Sequence, residues 1–296
     1  MFPILQVDPN SLIGDEQLGS KSKFWFEHEG ERWLFKLARE NTGEDWAEKV
    51  AADIAQVVAI DAARVELADY LGQRGSASLS FINENESLVH GNEILAGQIF
   101  GYDRQKKLKQ SDHTFDNIIA AIRSLVRGAG WYHDVVKAIA RYIVLDALIC
   151  NTDRHHENWG FLTTYKTRET GAVGPTFGMA PSFDHASSLG RELLDERASK
   201  ILAADGVADY ARRGHGGIYW EQTDRRGANP LELVRLASKK FPDYFREPLA
   251  GVARTPVAQL LEIVDGVPSQ VISEPSRRFA KALLAYTHGV LSGLAT

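Results

Sequence analysis

The stretch ICNTDRHHENWGFL, Ile149 to Leu162, constrains this chain more than any other. It runs Asp153, Arg154, His155, His156, Glu157 and Asn158 together without a break. On either side lie segments that belong in a core. HDVVKAIARYIVLDALIC, ahead of it, repeats apolar residues at helical spacing on nearly every face: Val135, Val136, Ile139, Tyr142, Ile143, Leu145 and Leu148. NWGFLTTY, behind it, alternates as a strand does. A polar turn wedged between two buried elements costs several kcal/mol unless its charges are paired or used, on the order of the desolvation penalty for buried ions. Any acceptable fold must therefore bring something to meet this turn.

The rest of the chain supplies the material. With 296 residues, 44% of them hydrophobic and 25% charged, it can build one large core or two lobes around a cleft. SKFWFEHEGERWLFKLA (Ser22–Ala38) alternates on both sides of a turn containing Gly30, a hairpin pattern that puts Lys36 near the end of its second strand. EDWAEKVAADIAQVVAI follows with Trp46, Val50, Ile54 and Val57 at helical spacing. Glu48, Ala51, Ala52 and Ala55 form a neighbouring face of small residues with one carboxylate. ARVELADY and GSASLSFI read as two more strands, completing a small antiparallel sheet. NENESLVHGNEIL (Asn83–Leu95) is polar and reads as a hinge. Beyond it the pattern is helical, apart from a strand pair, NWGFLTTY and PTFGMAPSF, and a glycine-rich loop, RRGHGGIYWE (Arg212–Glu221).

Composition also excludes. The net charge of −5 argues against direct nucleic-acid binding by the chain as a whole. A single cysteine, Cys150, rules out an internal disulfide or a cysteine-rich zinc site; beside an apolar helix it reads as an inert buried thiol. No secretory signal and no apolar run long enough for a membrane span is visible, so the expected location is cytoplasmic.

As chemistry, DRHHEN holds distinct tools. Asp153 can orient or deprotonate a hydroxyl, and Asn158 offers a neutral oxygen to a hard cation such as magnesium. His155 can tie the loop to backbone carbonyls, while His156 and Glu157 are expected to face solvent. In APSFDHASSLG, Asp184 ends an apolar strand and can supply a charged metal ligand. Asp, Asn and Asp in turns flanking a hairpin form the arrangement of protein-kinase-like phosphotransferases. Upstream, Lys36 can neutralise the α- and β-phosphates and Glu48 can pair with it, although Glu44 and Asp45 lie close by. IGDEQLGSKSK (Ile13–Lys23) can cover the phosphates with Gly19, Ser20, Lys21, Ser22 and Lys23. No P-loop motif is present.

TDRHHEN followed by APSFDHASSLG resembles the HipA-like serine/threonine kinases, the toxin kinases of type II toxin–antitoxin systems. The D-R-H-x-x-N form is also similar to the catalytic loop of phosphatidylinositol 3/4-kinases. The resemblance runs from about residue 14 to about residue 200. It implies an α+β, two-lobed, protein-kinase-like fold with a small β-rich N-lobe over residues 1–82 and a larger, mainly helical C-lobe over 83–296. It implies ATP and magnesium as cofactors, Asp153 as catalytic residue, Asn158 and Asp184 as metal ligands, and Lys36 as the ATP lysine. Adenine would meet the connection near Ser78 and Phe81. The family further implies a protein substrate with a Ser or Thr acceptor, a translation-related target, autophosphorylation at Ser20 or Ser22, and a helix-turn-helix antitoxin as partner. The hairpin with Lys36 begins almost at once, so the chain reads as a compact, HipT-like or stand-alone relative.

Two rivals compete with this reading. Asp153, His155, His156, Asp184 and His185 could form a transition-metal cluster in a hydrolase, but Lys36 and the Gly/Ser loop would then have no task. A pseudokinase acting as a binding module would not need every catalytic position filled. Asp153 or Asn158 alone would be an ordinary turn cap; the full set in kinase order is not.

Overall fold

The computed structural model describes residues 1–15, 23–107, 109–125, 131–167 and 173–295. Residues Gly19 to Ser22 of the expected phosphate loop lie outside the described residues.

The N-terminal part is a six-stranded sheet. Its strands are β1 (Ile4–Gln6), β2 (Leu12–Asp15), β3 (Lys23–His28), β4 (Glu31–Leu37), β5 (Val65–Tyr70) and β6 (Gln73–Leu79), in the order β1-β5-β6-β4-β3-β2. The β3–β4 hairpin closes through Glu29 and Gly30, both at positive φ, as a tight hairpin turn of this hand requires. Along these strands Phe24, Phe26, Trp33 and Phe35 are buried in one cluster with Ala68 and Ala77. Because side chains alternate, burying Phe35 sends Lys36 to the opposite face. The sheet is not wholly antiparallel as expected: β1 pairs in parallel with β5, Leu5 opposite Ala68. Three residues are too few for an alternation signal to stand out, so this edge strand was not legible.

Helix α1 (Glu44–Val57) connects β4 to β5 and buries Trp46, Val50 and Ile54. Its small-residue face, Ala47, Ala51 and Ala55, packs into the large core shared with the helices that follow.

Asn83–Leu95 is not an unstructured hinge. It contains β7 (Ser87–His90) and the start of α2 (Gly91–Gln98). β7 pairs with β8 (Gly160–Thr167), which pairs with β9 (Val173–Met179), so the expected strand pair gains a third member. After α3 (Phe115–Leu125) comes α4 (Tyr132–Ile149), the central apolar helix, with Leu145, Ala147, Leu148 and Ile149 wholly buried. The chain then runs through α5 (Asp195–Ala203), α6 (Val207–Arg213), α7 (Pro230–Lys240), α8 (Pro242–Arg254), α9 (Val257–Asp265) and α10 (Glu274–Leu294). α10 lies across this assembly and buries Phe279, Leu283, Leu284 and Leu291. The result is a two-lobed α+β, protein-kinase-like architecture: a β-sheet lobe and a helical lobe with a small sheet between β7 and β9. No helix among the described residues is long and apolar enough to cross a membrane.

Candidate active site

Helix α4 ends at Cys150, whose left-handed backbone turns the chain sharply into Asn151–Asn158. The polar run begins at that corner. Its anchor is Arg154, a residue the sequence reading passed over. Arg154 is buried, and its Nε and one terminal nitrogen form a bidentate pair with Asp146 of α4, both at 2.8 Å. The same terminal nitrogen donates to Ser182 Oγ at 2.9 Å. The other donates to the carbonyls of Asn158, at 2.6 Å, and Phe183, at 3.2 Å. One guanidinium thus holds the turn bearing Asn158 and the turn bearing Asp184 side by side. Burial is the largest influence and opposes its charge, but attraction and hydrogen bonding to Asp146, with smaller help from Tyr142 and Asp184, together raise its pKa.

The expected grip of His155 on backbone carbonyls therefore falls to Arg154. His155 Nδ1 instead accepts the Glu157 N–H at 3.1 Å. His156 and Glu157 do not face solvent as expected. His156 is buried against Tyr102, with Nδ1 2.8 Å from the phenol oxygen, because the turn folds back under itself. Glu157 is half-buried and meets Lys107 at 2.8 Å. A lone aspartate in the apolar run YIVLDALIC was the available signal for the Arg154–Asp146 pair, since a charge there must find a partner.

Asp153 is exposed at the tip of the turn, its N–H held by Asn151 Oδ1 at 3.0 Å. Asn158 is buried, and its Nδ2 donates to the Asp153 carbonyl at 2.7 Å. With the amide nitrogen committed, the oxygen is the end Asn158 can offer a cation. Asp184 has φ of 61°, a conformation unusual for a residue with a side chain. Its Oδ1 lies 3.2 Å from Lys36 Nζ. Burial alone would lower the Lys36 pKa; the carboxylates of Asp184, Glu48 and Glu44 more than reverse this and raise it. Lys36 is thus held cationic where β4 faces the helical lobe.

Glu48 is buried on α1, and its Oε1 accepts the backbone N–H of His185 at 2.9 Å. It joins α1 to the turn after Asp184 while its charge acts on Lys36. Glu44 acts on Lys36 more weakly while paired with Arg191 at 2.9 Å, and Asp45 pairs with Arg74 at 3.1 Å. Lys23 pairs across the hairpin with Lys36 through the backbone. Ser78 sits on β6 opposite Leu34, and Phe81 stacks on Phe183 with ring centroids 5.5 Å apart. Lys36, Glu48, Phe81 and the turn 182–185 are therefore brought together. Cys150 is buried as expected, and burial pushes its thiol up to about 12.

A carboxylate and an amide oxygen are hard donors, and the set Asn158 and Asp184 fits a magnesium ion in that respect. It suits a softer metal poorly. Among the described residues no group of three or more His, Cys, Asp and Glu is placed to hold one.

Comparison with known proteins agrees with this architecture. The Helicobacter pylori proinflammatory kinase CtkA superposes with a TM-score of 0.76 at 20% identity, over 99% of this chain and 98% of that one. HipA from the Shewanella oneidensis MR-1 toxin–antitoxin complex with HipB and operator DNA gives 0.59 at 13% identity, over 97% of this chain and 65% of that one. No curated protein matches the sequence. The profile of the HipA-like C-terminal domain matches residues 17–240. With most of its length so covered, the chain belongs to the HipA-like C-terminal domain family.

Proposed function

We propose that the protein is an ATP- and magnesium-dependent serine/threonine protein kinase of the HipA-like toxin type. The observation that carries this reading is the 3.2 Å contact between Lys36 Nζ and Asp184 Oδ1, which spans 148 residues of sequence and two lobes. Nucleotide would lie between the sheet lobe, to residue 82, and the helical lobe from 83, with its base near Ser78 and Phe81. Lys36 and the Gly19–Lys23 segment would neutralise the phosphates, Glu48 supporting Lys36 electrostatically. Asn158 and Asp184 would hold magnesium, which when bound neutralises charge on the transferring phosphates. Asp153 would align the acceptor hydroxyl and take its proton as the oxygen bonds to the γ-phosphorus; the bond to the β-phosphate oxygen breaks and ADP leaves. His155 would keep the loop in shape through the Glu157 N–H. Catalysis of this kind rests on positioning and charge.

The hydrolase alternative finds less support, because among the described residues no three or more His, Cys, Asp and Glu side chains converge as a metal cluster, Asp153, His155, His156, Asp184 and His185 included. Family membership supports two further proposals: autophosphorylation at Ser20 or Ser22, and a helix-turn-helix antitoxin as partner, as HipA has HipB in the Shewanella complex. A translation-related protein is the target we propose, in the cytoplasm, where ATP is supplied. The test is incubation with labelled ATP and magnesium followed by mass spectrometry of the protein and a cell extract. Phosphoserine or phosphothreonine that disappears with Asp184→Asn is expected. No phosphate transfer, or transfer indifferent to that substitution, overturns the assignment.

A further inference from the structure

The glycine-rich segment Arg212–Glu221 takes no part in phosphate or metal chemistry, yet it is packed against the catalytic turn. A Cβ on Gly217 would stand 2.7 Å from the carbonyl carbon and oxygen of Arg154 and from the His155 nitrogen. The neighbouring segment 224–229 braces it from behind. Gly216 N–H donates to Ala228 O and Ala228 N–H to Ile218 O, both at 2.8 Å, and His215 Nδ1 lies 3.0 Å from Gly227 O. So close a backbone approach fixes where Arg213 and His215 emerge.

They emerge at the mouth of a cavity of about 410 Å³. Its other walls include Thr152, Ser187 and Ser188. Thr152 adjoins Asp153 in sequence, and its N–H donates to Ser187 O at 3.1 Å, so the cavity floor is continuous with the catalytic turn and with the chain leaving Asp184. Inside, Ser188 is 2% exposed and its Oγ has no hydrogen-bond partner among the described residues.

The walls carry charge of both signs, and Arg213 is the basic group on them that is exposed to a ligand. Arg191 is held by Glu44, and Glu192 Oε1 accepts the Tyr210 hydroxyl at 2.6 Å. Arg213 is exposed; the Asp209 carboxylate on α6 feels its charge but forms its ion pair with Arg212. Arg225 and Arg226 are exposed on the bracing segment.

We propose that this cavity is the acceptor subsite, seating an extended Ser/Thr polypeptide that carries an acidic side chain for Arg213. The cavity wall begins at Thr152, the neighbour of Asp153 in sequence, so the acidic side chain would flank the acceptor. The inference rests on the phosphotransfer reading and names its substrate class. Arg213 binds the acceptor chain and does not touch the transferring phosphate.

The test uses the full-length protein with ATP, magnesium and a Ser/Thr-centred peptide library whose flanking positions are fixed in turn as Asp/Glu, Lys/Arg or Ala. Acidic flanks are expected to raise kcat/KM about tenfold, through KM, the equivalent of ~1.4 kcal/mol. Arg213→Glu is expected to abolish or invert that preference. The best acidic peptide, fluorescently labelled, should bind wild type without nucleotide and lose at least about tenfold in affinity for the variant. A melting temperature matching wild type marks the variant as folded; should it unfold, Arg213→Gln gives the same readout. Equal use of all flanks, a preference untouched by the Arg213 variants, or transfer only to small hydroxyl compounds overturns the subsite and leaves phosphotransfer standing. Absence of any ATP-dependent transfer overturns both.

Discussion

At the scale of single residues, the site separates groups that hold charge from one exposed group that can meet a hydroxyl. Asp153 is exposed and its backbone is pinned from both directions, by Asn151 Oδ1 on its N–H and by Asn158 Nδ2 on its carbonyl. Asp153→Asn keeps that shape and removes the proposed base. Turnover should fall by about 10²–10⁴-fold, while the nucleotide dissociation constant stays within about threefold; kinetics alongside calorimetry checks both. Asp184→Asn removes the carboxylate that pairs with Lys36 and is proposed to face the metal. Nucleotide affinity in magnesium should then drop by about tenfold or more, with little change in chelator, since the loss is of charge at the metal. Lys36 was legible in sequence because alternation in LFKL forces it away from the buried Phe35. Its contact with Asp184 was not, because no local pattern relates residues so far apart in the chain.

At the scale of elements, the arrangement depends on Arg154 joining three pieces: α4 through Asp146, the 151–158 turn through Asn158, and the turn before Asp184 through Ser182 and Phe183. Arg154→Met strands a buried carboxylate and should cost about 3–5 kcal/mol, seen as a large drop in melting temperature. Adding Asp146→Leu should recover part of that stability without restoring activity, because the two turns remain unclamped. Gly217→Ala tests the same join from outside: its Cβ would strike the Arg154 backbone rather than a movable side-chain tip. Phosphotransfer should fall at least about tenfold, as a shift of an ångström in a catalytic group can cost more than that. Assay of the purified variant beside wild type decides it.

For the whole molecule, distant segments meet at the 151–158 turn around two buried histidines. Trp159 Nε1–H donates to His113 Nε2 at 3.1 Å, so that nitrogen is an acceptor, and the proton on Nδ1 serves Gly217 O at 2.8 Å. A second proton would meet an indole N–H. Burial, with smaller repulsion from His156, His155 and Arg154, brings His113 down to about 3. Burial, with repulsion from His155, brings His156 down to about 4. Both are neutral when folded and take up protons more readily when unfolded. Their contribution is therefore full above the ordinary histidine value of about 6.5 and is lost as pH falls from there toward 3–4, by roughly 2 kcal/mol or more per histidine. Melting temperatures in matched buffers at pH 7 and pH 5 should show the fall, and His113→Gln should lessen its slope.

The sequence by itself determined the local periods: the β3–β4 hairpin, the apolar α4, the strand pair after the 151–158 turn, and the set of side chains fit for phosphate and a hard cation. Those follow from alternation, helical spacing and residue chemistry, which act over a few neighbours. Only the tertiary structure decided what each polar group touches. It buried His156, attached β1 in parallel, made a strand of 87–90, and gave Arg154 the task of holding Asn158 and Asp184 together. The reason is that a buried charge is satisfied by whichever partner the folded chain delivers, and that partner is set by packing across the whole molecule.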